Sequence, residues 1–313
     1  MNEQEHVVTR RPARIALLGA AAAAALVASG TAPAVAADPA PTLADLPADC
    51  QGALSIVTAD GALETLVVNS TRAPGEVARS ESPEGSDTFD FVPRDLVWIG
   101  GSGDEEGGHG SYLAVSPTGR LLEVEYRTHL GEPDRLEITD SGQAGGAPLT
   151  VAGPYLFSLR TLPTSTTPQG VLWRFEFNGW DEPGVFTNPG TVGNSRQLGA
   201  IEQLAAVYGS YTDPIRTLYG STGDGELLEI TVPNDTPKSH TVRTVAAEGF
   251  DDLTSLEVRN CYESGGRTFT GTTDDGAVVV WYDADRTDGI AGADLVRIET
   301  GATLEPGDHA FGY

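Results

Sequence analysis

Residues 218–230 read Leu218-Tyr-Gly-Ser-Thr-Gly-Asp-Gly225-Glu-Leu-Leu-Glu-Ile230, and this pattern is the clearest indication of the fold. It consists of an apolar run, an Asp-Gly pair and a second apolar run. This pattern predicts a β-hairpin, because glycine adopts the positive φ that a tight connection needs. Further copies occupy residues 54–67, 112–124, 155–175 and 269–281. The turn glycines of the five copies recur every 51–58 residues, at Gly61, Gly119, Gly170, Gly225 and Gly276.

Additional short strands flank these hairpins. Apolar runs precede them at 96–99, 204–208 and 253–258, and others follow at 135–138, 241–245 and 295–298. Four short strands repeated every 40–55 residues or so are typical of a β-propeller. The sequence therefore predicts an all-β fold, a five-bladed β-propeller with four-stranded blades. The polar stretch 72–88 is expected to be a long loop.

The two ends of the chain are predicted to close the ring. Residues 305–313 resemble residues 82–91, which lead into a strand at Leu96. The chain therefore stops where a sixth repeat would start, and residues 42–50 are expected to supply the next strand. Cys50 and Cys261 occupy similar points of the first and fifth units, which are neighbours in such a ring. A disulfide between them would stabilise the fold by roughly 5 kcal/mol, and the alternative is a pair of free buried thiols.

The first 36 residues resemble a bacterial secretory signal. Arg10 and Arg11 precede an apolar run at 15–29, and Ala34-Val35-Ala36 offers a cleavage site. The run is too short for a membrane span. Both twin-arginine export and general secretion fit the arginine pair. We expect a secreted mature chain of one domain, residues 37–313, with no membrane span.

The charge excludes several partners. The formal net charge is −26, and Lys238 is the single lysine. Such a chain is a poor ligand for nucleic acid or for an anionic membrane. Two cysteines also exclude a cysteine-rich zinc site.

The hairpin at 218–230 resembles the repeat of tachylectin-type five-bladed propellers, in which a strand with an apolar residue followed by tyrosine leads through a glycine turn to a leucine and an aromatic residue. Proteins of that family are lectins that bind N-acetylated sugars outside the cell. The resemblance implies carbohydrate binding. The repeats here are divergent, and only Gly179-Trp180 approaches the family's Gly-Trp signature. Five equivalent sugar sites are therefore not expected, and no sugar-contacting residue is carried over.

Aromatic residues near loop ends are the best binding signal. Sugars stack on exposed tyrosine while nearby acids bond their hydroxyls. The candidate ligand-binding residues are Tyr211 with Asp213, Tyr262 with Glu263, and His109. The alternative is that these tyrosines cover the ends of the blade core. Three tryptophans inside apolar strands are expected to be core residues: Trp98, Trp173 and Trp281.

No pattern predicts catalysis or a firm metal site. The sequence lacks a G-x-S-x-G elbow and an HExxH motif, so no catalytic residue and no cofactor are predicted. The acidic segments 283–289 and 104–106 leave calcium open, although both are more typical of solvated turns. The favoured function is non-catalytic binding of an extracellular glycan. The alternatives are a protein-interaction scaffold, with a broad apolar patch, and a hydrolase or lyase, with one deep charged pocket.

Overall fold

A computed structural model of the chain describes residues 41–103, 106–162, 169–177, 186–207, 212–287 and 295–313. These residues are almost entirely β-structure. The helical segments among them are α1 (Arg196–Gly199) and two 3-10 turns, Leu43–Asp45 and Pro237–Ser239. The strands are β1 (Gly52–Val57), β2 (Leu63–Ser70), β3 (Ala73–Arg79), β4 (Asp95–Gly103), β5 (Gly107–Val115), β6 (Arg120–His129), β7 (Arg135–Ala144), β8 (Leu149–Ala152), β9 (Tyr155–Leu162), β10 (Gln169–Phe177), β11 (Phe186–Ser195), β12 (Ile201–Ala206), β13 (Ile215–Thr222), β14 (Leu227–Pro233), β15 (Thr241–Ala246), β16 (Leu253–Asn260), β17 (Arg267–Thr273), β18 (Ala277–Asp283), β19 (Val296–Thr303) and β20 (His309–Gly312).

The strands form five four-stranded antiparallel sheets, which confirms the predicted five-bladed propeller. From the centre outward the blades are β20-β1-β2-β3, β4-β5-β6-β7, β8-β9-β10-β11, β12-β13-β14-β15 and β16-β17-β18-β19, numbered blades 1 to 5 in that order. The five inner strands contact one another in sequence around the ring. In this arrangement the N-terminal ends of all five inner strands lie at the same end of the propeller axis.

The hairpin turns are built as the Asp-Gly pairs predict. Gly61, Gly225 and Gly276 have φ values of +89°, +87° and +82°. At Gly61 a side chain would also collide with the backbone, because a Cβ would lie 2.2 Å from the carbonyl oxygen of Phe89. That neighbouring loop is hydrogen-bonded to the turn, with the Phe89 amide donating to the Gly61 carbonyl at 2.8 Å. The repeated pairs therefore have a structural explanation.

The apolar core is divided among the interfaces between blades. Five clusters of buried side chains each join two neighbouring blades. At the closure of the ring, for example, Leu54 and Ile56 of blade 1 pack with Val278 and Val280 of blade 5. Because a blade packs on both of its faces, its middle strands are apolar on both faces, as their sequences indicate.

Two predicted elements are wrong. The inner strand of blade 1 is β20. It pairs antiparallel with β1, with Leu54 opposite Gly312 at one end and Val57 opposite His309 at the other. Residues 42–50 instead contain a 3-10 turn, and Leu43 packs into the core between blades 5 and 1. The expected loop at 72–88 contains β3, the outer edge strand, whose half-exposed, half-buried alternation carries little apolar signal.

The predicted disulfide between Cys50 and Cys261 is present. Its sulfur atoms are 2.05 Å apart and the Cα atoms 4.6 Å apart, and both residues are fully buried. Cys50 precedes β1 of blade 1, and Cys261 follows β16 of blade 5. The bridge therefore fastens the same interface that β20 closes.

Candidate functional site

The inner strands enclose a cavity of about 750 Å³ along the propeller axis, a volume within the usual range of ligand pockets. Its walls are residues of β4, β8, β12, β16 and β20. One end opens among the loops that leave the inner strands, where Tyr262 is 89% exposed. We call this end the mouth and define it by the lining residues Asp49, Trp98, Arg259, Tyr262, Glu263, Arg286 and Tyr313.

Two aromatic rings and a guanidinium lie together at the mouth. The rings of Trp98 and Tyr313 are stacked, with centroids 5.0 Å apart and an interplanar angle of 13°. The Arg259 Cζ atom lies 5.2 Å from the centroid of the Tyr313 ring. Ring closure creates this arrangement, because Tyr313 follows β20 while Trp98 and Arg259 belong to the inner strands on either side of it. Burial raises the pKa of the Tyr313 phenol, against the opposing effect of Arg259.

The Arg259 guanidinium is held by a buried carboxylate two residues earlier on β16. Arg259 Nε donates to Glu257 Oε1, and the Ala53 amide lies 3.5 Å from Glu257 Oε2. The side chain of Glu257 is 4% exposed and that of Arg259 is 33% exposed. Burial raises the pKa of Glu257 to about 6, although the Arg259 charge opposes the shift. The pair therefore points its carboxylate into the fold and its guanidinium toward the cavity.

The loop after Cys261 presents Tyr262 and Glu263 and is anchored by Asp49. One carboxylate oxygen, Asp49 Oδ2, accepts hydrogen bonds from the amides of Glu263 at 2.6 Å and Ser264 at 2.9 Å. It also accepts one from Ser264 Oγ at 3.2 Å. The Ser264 amide is the main cause of the lowered pKa of Asp49. Asp49 adjoins Cys50 in the sequence. The start of this loop is therefore held both by the hydrogen bonds to Asp49 and by the disulfide between Cys50 and Cys261.

Replacing Asp49 by alanine is expected to free this loop without unfolding the propeller. Hydrogen bonds to a charged acceptor contribute about 1.5–3 kcal/mol, so the Glu263 and Ser264 amides should exchange with solvent about 10- to 100-fold faster. Native-state hydrogen exchange measures this change. Asp45→Ala is the matched control, since Asp45 lies in the same segment and its carboxylate accepts hydrogen bonds from Thr42 alone among the residues that the structure describes. Equal exchange in the two variants would show that Asp49 does not hold the loop.

A further carboxyl lies toward the opposite end of the cavity. Asp95 begins β4 and pairs with Val115, beside the turn between β5 and β6. It accepts hydrogen bonds from the amides of Leu149 and Leu96. Burial raises its pKa to about 7, against the effect of these hydrogen bonds. This carboxyl therefore titrates near neutral pH, away from the aromatic residues of the mouth.

Only one of the predicted aromatic–acid pairs can be placed at the cavity. Tyr262 and Glu263 line the mouth. Tyr211 lies outside the described residues. Asp213 is exposed in the segment before β13, where its carbonyl accepts a hydrogen bond from Asn234 Nδ2 at 2.6 Å, and it does not line the cavity. Its role in binding stays a prediction.

His109 lies in a different place from the cavity. On β5 of blade 2 its Nδ1 is 3.3 Å from Ser102 Oγ. It lines an open depression formed with Gly108, Glu125, Arg127, Thr128 and His129. The predicted role of His109 in ligand binding has no support from the geometry of the mouth and stays a prediction.

Sequence reasoning missed six residues of this site: Asp49, Trp98, Glu257, Arg259, Arg286 and Tyr313. The three tryptophans expected in the core differ: Trp281 is 3% exposed, whereas Trp98 and Trp173 are only partly buried. The available signal for Glu257 and Arg259 was two opposite charges at a spacing of two inside an apolar strand, which places them on the same face. For Tyr313 it was the predicted closure of the ring.

The described ranges hold neither a cluster of metal-ligating side chains nor a membrane-spanning helix. In them, no group of three or more His, Cys, Asp or Glu side chains could hold a metal ion. The calcium segments lie partly outside those ranges, at residues 104–105 and 288–289, and calcium stays a prediction. No described helix has the length and apolar character needed to cross a bilayer.

Comparisons with known proteins return no match to a family model and no match to a curated protein. Among solved structures, the chain is similar to the six-bladed fucose-recognising lectin of the fungus Aleuria aurantia, with 14% identity and a TM-score of 0.41 over 82% of this chain and 77% of that one. It is similar to AofleA from Arthrobotrys oligospora, at 13% identity and a TM-score of 0.42 over 87% and 88%. A Trypanosoma rangeli sialidase matches at 12% identity and a TM-score of 0.32 over 69% and 40%. The tachylectin-type family stays a prediction.

Proposed function

We propose that this chain is a secreted, non-catalytic saccharide-binding protein with one binding site, at the mouth of the central cavity. The observation that carries the proposal is the exposed Tyr262 ring at a cavity mouth that also holds the Arg259 guanidinium and the stacked Trp98–Tyr313 pair. Aromatic faces bind the apolar faces of sugar rings, and a few charged and polar groups orient the hydroxyls.

The uneven wall of the cavity favours one site over five. The residues that β8 and β12 contribute are mainly aliphatic, including Leu149, Val151, Leu204 and Ala205. The lining aromatic rings and arginines come instead from the side formed by blades 5, 1 and 2. A saccharide would therefore meet a polar, aromatic surface on one side of the axis only.

The hydrogen bonding of the acids supports binding over hydrolysis. Glycosidases use two carboxyl groups about 5–10 Å apart that flank the scissile bond. Here Asp49 is engaged by the Tyr262 loop, and Glu257 is engaged by Arg259. Glu263 is then the lining carboxylate of the mouth that accepts no hydrogen bond from another described residue.

The exposed apolar residues support a saccharide over a protein scaffold partner. A docking scaffold is expected to carry one contiguous apolar patch. In the described ranges the large exposed hydrophobic side chains are Val92, in the connection before blade 2, Leu130 of blade 2, Ile215 of blade 4, and Tyr262 and Val296 on the inner and outer sides of blade 5. Tyr262 is the one among them that lines the cavity.

The proposed secretion rests on residues 1–36 and on the disulfide. Disulfides of this kind form and persist in oxidising compartments outside the cytoplasm. Recovery of the protein from the culture medium tests secretion. If replacing Arg10 and Arg11 by glutamine abolishes this recovery, the chain uses twin-arginine export. If only deletion of residues 15–29 abolishes it, the chain uses the general secretory route.

Replacing Tyr262 by alanine is expected to weaken saccharide binding about tenfold or more, since loss of an aromatic anchor typically costs about 2 kcal/mol. Stability should not change, because Tyr262 is 89% exposed. A glycan array with and without calcium identifies the ligand, and titration calorimetry measures the affinity. Leu130→Ala is the control, because Leu130 is 79% exposed and does not line the cavity. An array on which no glycan is retained would contradict the proposal.

A further inference from the structure

We propose that the saccharide bound at the mouth carries a carboxylate, as a uronic acid does, and that Arg259 and Arg286 bind this group. The inference rests on the proposed function and names its ligand class. Some charged groups of the mouth already have hydrogen-bond partners within the protein, whereas others still have unused N–H donors, and the inference follows from this difference.

The carboxylates of the mouth are largely satisfied by the protein itself. Asp49 Oδ2 accepts three hydrogen bonds from the loop of residues 263–264. Glu257 is almost fully buried and bound to Arg259, with the Ala53 amide at its second oxygen. Of the three acids that line this end of the cavity, Glu263 has both side-chain oxygens without a partner among the described residues, and Asp49 has one, Oδ1.

The two arginines keep most of their donors. A guanidinium carries five N–H donors. Among the described residues, Glu257 alone accepts a hydrogen bond from Arg259, through Nε, while a third of the side chain is exposed. Within the described ranges Arg286 makes one long hydrogen bond, from Nη1 to the Cys261 carbonyl at 3.4 Å. The mouth therefore has an excess of charged donors over free acceptors.

Such a donor set fits a planar anion attached to a sugar ring. Guanidinium groups bind carboxylates through two parallel hydrogen bonds, with geometric specificity. Tyr262 is close enough to Arg259 to act on its pKa, and Tyr313 lies under the same guanidinium. A uronic acid places a carboxylate directly on a ring that can stack on tyrosine. A neutral sugar would offer no charged acceptor to the guanidinium donors that Glu257 does not occupy.

The overall negative charge does not prevent this selectivity. The formal net charge of −26 repels an anion at long range, but charges beyond about 10 Å are largely screened at 0.1 M salt. Selectivity then depends on the groups of the mouth. Because Glu263 is exposed there and opposes an anion, Glu263→Gln is expected to tighten binding of the acidic sugar by a few-fold.

The test compares oligosaccharides of galacturonic acid with the matching galactose oligosaccharides by titration calorimetry. The wild-type protein should bind the acidic series more tightly. Arg286→Gln should reduce affinity for the acidic series about 10- to 100-fold and leave any binding of the neutral series nearly unchanged. Arg259→Gln should do the same, but it also leaves Glu257 buried without its partner, so Arg286→Gln is the decisive variant. Arg297→Gln is the control, because Arg297 is an exposed arginine paired with Glu299 on β19.

The outcomes separate the inference from the proposed function. Preference for the neutral series, or an unchanged acidic preference in Arg286→Gln and Arg259→Gln, would overturn the inference and leave saccharide binding standing. Loss of acidic binding in Arg297→Gln to the same extent would show that only net charge matters, and would also overturn it. Failure of both series, together with an empty glycan array, would overturn the inference and the proposed function together.

Discussion

Replacing Cys50 and Cys261 together by serine is expected to lower the free energy of unfolding by about 2–5 kcal/mol. The bridge spans 211 residues and therefore constrains most of the unfolded chain. Its loss raises the conformational entropy of the unfolded state. The pair also joins the first and last blades at the place where the ring closes. Urea unfolding, followed by tryptophan fluorescence, measures the change in midpoint.

A redox control separates the bond from the substitutions. Wild-type protein that is unfolded and refolded in a reductant should match the Cys50→Ser, Cys261→Ser variant, and reoxidation should restore the higher midpoint. The double variant should also bind saccharide more weakly, since the Tyr262 loop begins at Cys261. A free energy of unfolding within about 1 kcal/mol of the oxidised protein would show that β20 and the apolar interface close the ring unaided.

The sequence predicted the features of the fold that depend on neighbouring residues. The Asp-Gly turns and their apolar flanks define each hairpin locally, and the repetition of the hairpin defines the number of blades. The strand β3 was missed because its alternating half-buried residues carry little apolar signal, and the inner strand of blade 1 was missed because it is determined by a distant partner. β20 becomes an inner strand only because β1 lies beside it in the closed ring, and nothing within residues 309–312 distinguishes it from a chain end.

The candidate site depends even more on residues that are distant in the sequence. Tyr262 could be found as an aromatic residue beside an acid in a predicted loop. Trp98 could not be distinguished from a core tryptophan, because its strand is apolar on both sides and its exposure depends on the cavity next to it. The Trp98–Tyr313–Arg259 arrangement combines three different blades, so it exists only after the ring has closed.

A buried polar network joins blades 4 and 5 on the outer side of the mouth. Arg267 Nε donates to Asp283 Oδ2 at 2.5 Å, and the two side chains are 4% and 0% exposed. Arg267 Nη1 donates to the Tyr219 hydroxyl, which donates to Glu229 Oε2 at 2.8 Å. Asp283 Oδ1 accepts a hydrogen bond from the Asp285 amide at 3.1 Å. Asp283 therefore neutralises a buried arginine and shapes the turn that carries Arg286 to the mouth.

Replacing Asp283 by asparagine is expected to destabilise the fold by about 3–5 kcal/mol, because removing one partner leaves Arg267 as a poorly compensated buried charge. Asp140→Asn is the control: Asp140 pairs with Arg120, both about half exposed, and exposed pairs contribute about 0–1 kcal/mol. Urea unfolding compares the variants. If Asp283→Asn costs no more than Asp140→Asn, then Glu229, 4.0 Å from Arg267 Nη1, compensates the charge.

A variant with Arg267→Met and Asp283→Leu removes both charges and should recover much of the lost stability. Because that variant also loses the bond to the Asp285 amide, any weakening of acidic-sugar binding that persists in it reports the displacement of Arg286, separately from the stability of the propeller.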